Sequence, residues 1–173
     1  MIEQLPLEQL IVHRHEPVQL TFANRATQMV PESDGYRLEP AVNGLRVHAA
    51  NETALEVPRE ILCEVFGGEL ELMPVGIKFE RHGELLYEPV MFIRTEVSAD
   101  VQPGLRAALH SRGAQILEED ARRTRVVTRA LAALREMLGF PQTLRALAGN
   151  NARLWVWLSH YAPAGGEANS GTA

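Results

Sequence analysis

The chain has 173 residues, 46% hydrophobic and 23% charged, with a formal net charge of −5, the composition of a soluble globular protein rather than a fibre or a disordered tract. Cys63 is the single cysteine, which excludes an intrachain disulfide and a cysteine-based zinc site and points to a reducing compartment. The sole lysine, Lys78, lies between Ile77 and Phe79, so the Gly-Lys-Ser/Thr of a phosphate-binding P-loop is missing. The first residues carry acid where a secretory signal needs base, and no apolar run approaches a membrane span. A cytoplasmic protein without a cofactor is expected.

Charge divides the chain. Residues 1–87 hold 7 basic and 14 acidic side chains, residues 88–163 hold 10 and 7, and the last ten add one acid. The acidic half faces no obvious polyanion. The arginine-rich half suits phosphate contact, although a solvated surface explains a mild positive balance about as well.

In chain order, Pro17-Val18-Gln19-Leu20-Thr21-Phe22 alternates at period two and predicts a strand, as does Leu45-Arg46-Val47-His48-Ala49 more weakly. The turn-forming run Pro31-Glu32-Ser33-Asp34-Gly35 lies between them, so 17–50 read as an antiparallel meander. Val57 to Phe66 predicts a short amphipathic helix, with Pro58 in its first turn and Gly67-Gly68 at its end. Glu69 to Glu80 returns as an extended segment, turned by His82-Gly83. The first 87 residues thus form a small, mostly β domain with one helix.

Pro89 to Val97 predicts a strand with Met91, Ile93, Thr95 and Val97 on one face and Phe92, Arg94 and Glu96 on the other. Ser98 is a cap for a helix bearing Val101, Leu105, Ala108 and Leu109 on one stripe, closed near Gly113. Gln115–Glu119 and Thr124–Leu131 read as strands joined by the polar run Asp120-Ala121-Arg122-Arg123. From Leu134 to Ala148 a helix is interrupted at Gly139-Phe140-Pro141. Arg153 to Tyr161 closes with Leu154, Val156 and Leu158 opposite Trp155 and Trp157. Strand, helix, strand, strand, helix, strand is the ferredoxin-like split βαβ order, an α+β sandwich over 88–163. Residues 164–173 are expected to be a disordered tail.

No candidate for catalysis survives weighing. His13 and His15 share a face if extended, but two ligands make no metal site, and a surface or capping role is the simpler expectation. Cys63 falls on the apolar stripe of its helix, where a buried inert thiol is usual. Glu118, Glu119 and Asp120 beside Arg122 and Arg123 read as a solvated turn with local charge pairing. Arg112, Arg122, Arg123 and Arg125 lie near turns, where guanidinium groups grip backbone phosphates. Trp155 and Trp157 share a face on which bases could stack, although packing of that face against the first half of the chain is favoured, because exposed paired tryptophans are unusual.

Residues 88–161 resemble the C-terminal, fifth domain of the elongation factor G family of ribosomal translocases. Glu88-Pro89-Val90-Met91, Gln115-Ile116-Leu117 and Arg129-Ala130 match its motifs. So do Leu134, Glu136, Met137, Gly139, Phe140, Leu144 and Arg145, and the closing Ser159-His160-Tyr161. The resemblance implies the ferredoxin-like fold, a role in translation, and the ribosome (large-subunit rRNA or the stalk base) or a separate translational GTPase as partner, with neither membrane nor DNA. Contact candidates are Arg112, Arg122, Arg123, Arg125, Arg145, Asn150, Asn151 and Arg153. Two loops depart from the family, at Arg112-Gly113-Ala114 and at Gly149-Asn150-Asn151-Ala152. Upstream, Val57–Ile61 and Pro74–Phe79 are faintly similar to the family's fourth domain, which implies a shortened fourth domain lacking its final helix; an unrelated α+β domain is the alternative. No counterpart of the GTPase domain is present. The alternative function is a ferredoxin-like structural, regulatory or small-ligand module without ribosome contact, including a homodimer built through Trp155 and Trp157.

Overall fold

A computed structural model describes residues 5–165. The chain divides between Lys78 and Phe79 into two compact units. The first contains β1 (Leu7–His13), α1 (Gln19–Met29), β2 (Tyr36–Ala41), β3 (Gly44–Ala49), α2 (Glu52–Phe66) and β4 (Leu70–Leu72), with a two-residue β5 (Gly76–Ile77) pairing back onto β1. The second contains β6 (Glu80–His82), β7 (Leu85–Ser98), α3 (Gln102–Ser111), β8 (Gln115–Arg122), β9 (Arg125–Ala133), α4 (Leu134–Met137), α5 (Phe140–Ala148) and β10 (Arg153–Pro163).

The second unit is the ferredoxin-like sandwich expected from the alternation pattern. Its antiparallel sheet runs β10-β7-β9-β8. Met91, Ile93, Thr95 and Val97 are fully buried on the helix side of β7, and there Ile93 and Val97 pack with Leu105 and Leu109 of α3 and with Phe140 and Leu144 of α5. The side-chain amide of Gln102 at the start of α3 donates to Thr128 on β9 at 2.9 Å and to Glu119 on β8. One polar group thereby ties the helix to two strands through its N–H groups, while its buried oxygen Oε1 has no hydrogen-bond partner. The helical pattern over 134–148 breaks at Gly139, whose φ of 80° is left-handed, a conformation open to glycine without steric cost.

Three expectations in this unit are corrected. The polar run 120–123 is not the loop: β8 extends to Arg122, and the turn is Arg123-Thr124, with Arg123 at φ 50°. Ser98 does not cap α3, whose N-cap is Val101; instead its carbonyl accepts from the Val101 amide at 3.1 Å. The boundary falls at 78/79 rather than 87/88, because β6 pairs with Leu85–Tyr87 of β7 across the turn at Gly83 and makes that hairpin part of the second sheet.

The first unit departs more from expectation. Gln19–Met29 is a helix, so this unit has two helices rather than one. Phe22, Ala23 and Ala26 form its buried stripe, whereas Val18 and Leu20, which a strand would have buried with Phe22, are 56% and 38% exposed. Gln19 anchors the helix start: its amide accepts from the His13 amide at 3.0 Å and donates to the carbonyls of His13 and Glu16 at 2.8 and 2.7 Å. The strand that the pattern missed is β1, which alternates buried and half-buried residues along its length. The sheet order is β2-β3-β1-β4, all antiparallel. Taken from its other edge, this is the order of the second sheet, so the chain repeats one βαββαβ topology. The first unit has both helices of that arrangement and is not truncated at its second helix.

The helix α2 begins at Asn51, whose side chain accepts from the Ala54 amide at 2.9 Å as an N-cap. Its buried residues are Leu55, Pro58 and Leu62. This stripe leaves Cys63 exposed, against the expectation of a buried thiol. His13 is likewise not on the surface: it is buried, packs on Phe22 and Phe66, and pairs with Glu69 at 2.9 Å. Of the expected tail 164–173, residues 166–173 lie outside the described residues.

Candidate nucleic-acid interface

The antiparallel register decides which arginines meet. Ser98, near the end of β7, stands opposite Arg125, the first residue of β9, and Glu96 stands opposite Arg153, the first residue of β10. The β8–β9 turn and the start of β10 therefore share one end of the sheet. Arg125 joins them: its guanidinium donates to the Glu96 carboxylate at 2.8 Å, to the Glu96 carbonyl at 3.0 Å and to the Asn151 carbonyl at 2.8 Å. The tight turn Gly149–Asn151 follows α5, and the Gly149 amide closes on the Arg145 carbonyl. Arg122, Arg123, Arg125, Arg145, Asn150, Asn151 and Arg153 are thus brought to one end of the domain.

Arg112 is not among them. It follows α3, beside the start of β8, at the opposite end of the sheet. Its guanidinium donates to the carbonyls of Glu136 and Leu138 at 2.7 and 3.0 Å and to the Thr143 hydroxyl at 3.0 Å, and it stands over the Phe140 ring at 5.7 Å. These bonds satisfy carbonyls that the short helix α4 leaves without intrahelical donors. Arg112 is a clamp on the α4–α5 junction, not a member of the exposed cluster.

The remaining arginines differ in what they offer a ligand. Arg122 pairs with Asp120 at 2.7 Å, and that hydrogen bond raises its pKa further. Arg125 is half-buried and held by its three bonds. Arg123 and Arg153 are exposed, and among the described residues neither is held in an ion pair. The acids near them are distributed along β8 and are already matched. Glu118 pairs with Arg129 at 2.6 Å, and Glu119 is hydrogen-bonded by Arg106 of α3, which holds its carboxyl below the usual range. The acidic run is therefore strand, not turn, and its pairing reaches two other elements.

The helix-free face of the same sheet carries a second feature. Trp155 and Trp157 on β10 are 37% and 46% exposed. Arg94 on β7 stands 4.4 Å over the Trp155 ring, and Phe92 stacks on Trp157 with centroids 4.7 Å apart. Sequence periodicity put Phe92 and Arg94 on the outer side of β7, but only pairing of Arg94 with Trp155 and of Phe92 with Trp157 in the register makes them neighbours.

A complete βαββαβ sandwich with sheet order β10-β7-β9-β8 places the second unit in the ferredoxin-like α+β class. Within that class the chain belongs to the family described as Elongation factor G C-terminus, which matches residues 85–171. The chain is 35% identical over 82 residues to elongation factor G of Fervidobacterium nodosum, covering 47% of this chain and 12% of that protein. It is 30% identical over 81 residues to elongation factor G of Jannaschia sp., with the same shares. It is also 38% identical over 64 residues to elongation factor 2 of Nanoarchaeum equitans, covering 37% of this chain and 9% of that protein. The chain thus spans about an eighth of the elongation factor G relatives it matches. A crystal structure of a Thermus thermophilus protein shares the fold over 90% of this chain and 40% of its own, with a TM-score of 0.64 at 13% identity. The role of the domain is translation-factor-related.

Proposed function

We propose that this chain binds the ribosome, engaging large-subunit rRNA or the stalk base through the arginine-bearing end of its C-terminal unit, and catalyses no reaction itself. The observation that carries this is the Arg125–Asn151 hydrogen bond, which holds two exposed turns side by side. Arg123, Arg153, Asn150 and Asn151 then offer cationic forks and amides on one surface, the chemistry that recognises phosphate backbone. Membership of the elongation factor G C-terminal family makes the ribosome the natural polyanion, and a separately encoded translational GTPase is the alternative protein partner in that setting. The compartment is then the cytoplasm.

Sedimentation of the purified chain with ribosomes through sucrose tests this. At low salt the chain is expected in the ribosomal fractions, and it is expected to leave them as salt rises, because each phosphate contact releases counterions. Arg123→Ala with Arg153→Ala should weaken binding and flatten the salt dependence by roughly one unit of slope per contact removed. A chain that stays at the top of the low-salt gradient refutes the proposal.

A second reading, a ferredoxin-like regulatory module without ribosome contact, draws support from Arg112 and Arg125. Their guanidinium groups are engaged within the fold, so fewer cations face outward than the sequence suggests. Wild-type binding that is absent at low salt favours it.

A further inference from the structure

The helix-free face of the second sheet sets a cation and two indoles in one line. Arg153, Trp155 and Trp157 alternate on that side of β10, each two residues from the next, a step of roughly 6.6 Å along a strand. From β7, Arg94 lies 4.4 Å over the Trp155 ring and Phe92 stacks on Trp157 with centroids 4.7 Å apart. One side of each indole is thereby held. Yet the two residues stay 37% and 46% exposed, and an exposed apolar patch of this kind marks an interaction site. The acids beside it are already matched: Glu96, Glu118 and Asp120 pair with Arg125, Arg129 and Arg122 at 2.8, 2.6 and 2.7 Å. Among the described residues Arg94 and Arg153 are in no ion pair. The face therefore keeps two uncompensated guanidinium groups next to two open rings.

We propose that this face binds a single-stranded segment of RNA, two of whose successive bases stack on Trp155 and Trp157 while Arg94 and Arg153 take the adjoining phosphates. A four-stranded sheet with aromatics on its open face is a platform for unpaired bases, and stacking accepts any base because each has a π-face. The two-residue step between the indoles matches the reach of one extended nucleotide. Because Arg94 and Phe92 already fix the rings, little side-chain freedom is lost when a base arrives. Continuity favours RNA as the occupant. Arg153 also belongs to the arginine-bearing end of the unit, so a strand whose backbone crosses Arg123 and Arg153 runs on to the indoles. An apolar protein surface would match the rings but leave both guanidinium groups uncompensated, whereas RNA supplies flat rings and phosphates together. The inference rests on the RNA-binding reading above and adds the part of the RNA that is held, unpaired bases rather than duplex backbone.

Trp155 and Trp157 are the chain's two tryptophans, so its intrinsic fluorescence reports on this face. Oligoadenylate of about ten nucleotides, titrated into the full chain at low salt, is expected to quench that emission to saturation. The same oligonucleotide annealed to oligouridylate is expected to leave it unchanged, because its bases are paired. Anisotropy of the labelled oligonucleotide gives affinities for variants that lose a fluorophore. Trp155→Ala and Trp157→Ala should each weaken binding by about 5- to 150-fold, the loss of one stacked base, with the salt slope of wild type, since no phosphate contact is removed. Trp155→Phe and Trp157→Phe keep a ring and should recover most of the affinity. Absence of quenching, equal quenching by the duplex, or alanine variants that bind as wild type overturns the proposal, and a face that serves a protein or a second copy gives the first of these. Ribosome co-sedimentation separates this inference from the reading it rests on. A chain that sediments with ribosomes yet ignores oligoadenylate keeps its phosphate contacts and loses the stacking, one that binds the oligonucleotide alone keeps the stacking and loses the ribosome, and one that does neither loses both.

Discussion

Arg125 donates to the carbonyl of Asn151 at 2.8 Å across 26 residues of chain, and with its two bonds to Glu96 it makes the β8–β9 turn and the turn before β10 a single surface. A half-buried arginine with three acceptors is a structural strut that stands beside two exposed arginines. Removing it acts on their placement rather than on their charge.

Arg125→Ala is therefore expected to destabilise the chain by about 1–3 kcal/mol, the usual loss when a hydrogen-bonded charged group leaves acceptors unpaired. Arg125→Lys should recover little, because an ammonium cannot span the same fork of acceptors. Urea unfolding followed by circular dichroism reads both, with a lowered midpoint and an unchanged slope as the expected pattern.

Arg112→Ala separates the two ends of the sheet. It is expected to destabilise by a similar amount, roughly 1–3 kcal/mol, because the carbonyls of Glu136 and Leu138 lose their donor. Yet the salt dependence of ribosome co-sedimentation should match wild type, since Arg112 lies away from the arginine cluster. A flattened salt slope in this variant would show that Arg112 does contact phosphate.

Among the described residues Glu119 is one of three carboxylates, with Glu39 and Asp100, whose pKa the fold lowers, and it should contribute to acid sensitivity. Hydrogen bonds from Arg106 and Gln102 lower its pKa from an unfolded-state value near 4.5, so the folded state favours the carboxylate. Its contribution to stability is fully present above that value and is lost as pH falls through the lower folded-state pKa. Glu119→Gln is expected to reduce stability at neutral pH and to flatten the decline below pH 4.5, as measured by denaturant midpoints across an acid pH series.

Gly44 tests the first unit independently. Its φ of 140° lies in a region that side chains rarely adopt, and a β-carbon there would come within 2.5 Å of the Ile11 carbonyl oxygen on the neighbouring strand. Gly44→Ala is expected to cost about 1–3 kcal/mol through strain and displacement of β3 from β1. Amide hydrogen exchange should show the loss in residues 5–78, with protection in β7 and β9 retained.

Much of the second unit was legible in the residues alone. The alternation in β7, the stripe of α3, the break at Gly139 and the alternating tryptophans of β10 each state a local period that burial on one face demands. Family membership was legible there too, because its motifs fall on that same framework. The first unit was less open to reading. Val18, Leu20 and Phe22 satisfy period two over three positions, but Ala23 and Ala26 complete a helical stripe, and small residues give pattern arguments little contrast. The burial of His13 is not visible in local spacing either, since only the aromatic pair Phe22 and Phe66 gives it a buried place, although its Nδ1 accepts the His15 amide as a capping role would have it.

By itself, then, the sequence determined the periodicities, the charge asymmetry and the order of elements in the C-terminal unit, because these are properties of residues close together along the chain. Tertiary structure alone decided that Arg112 clamps one end while Arg123 and Arg153 share the other, that Arg94 covers Trp155, and that both units run through the same sheet order. Each depends on strand register and on which helix packs over which strand, and such long-range pairings are fixed by burial of a whole face rather than by any local spacing.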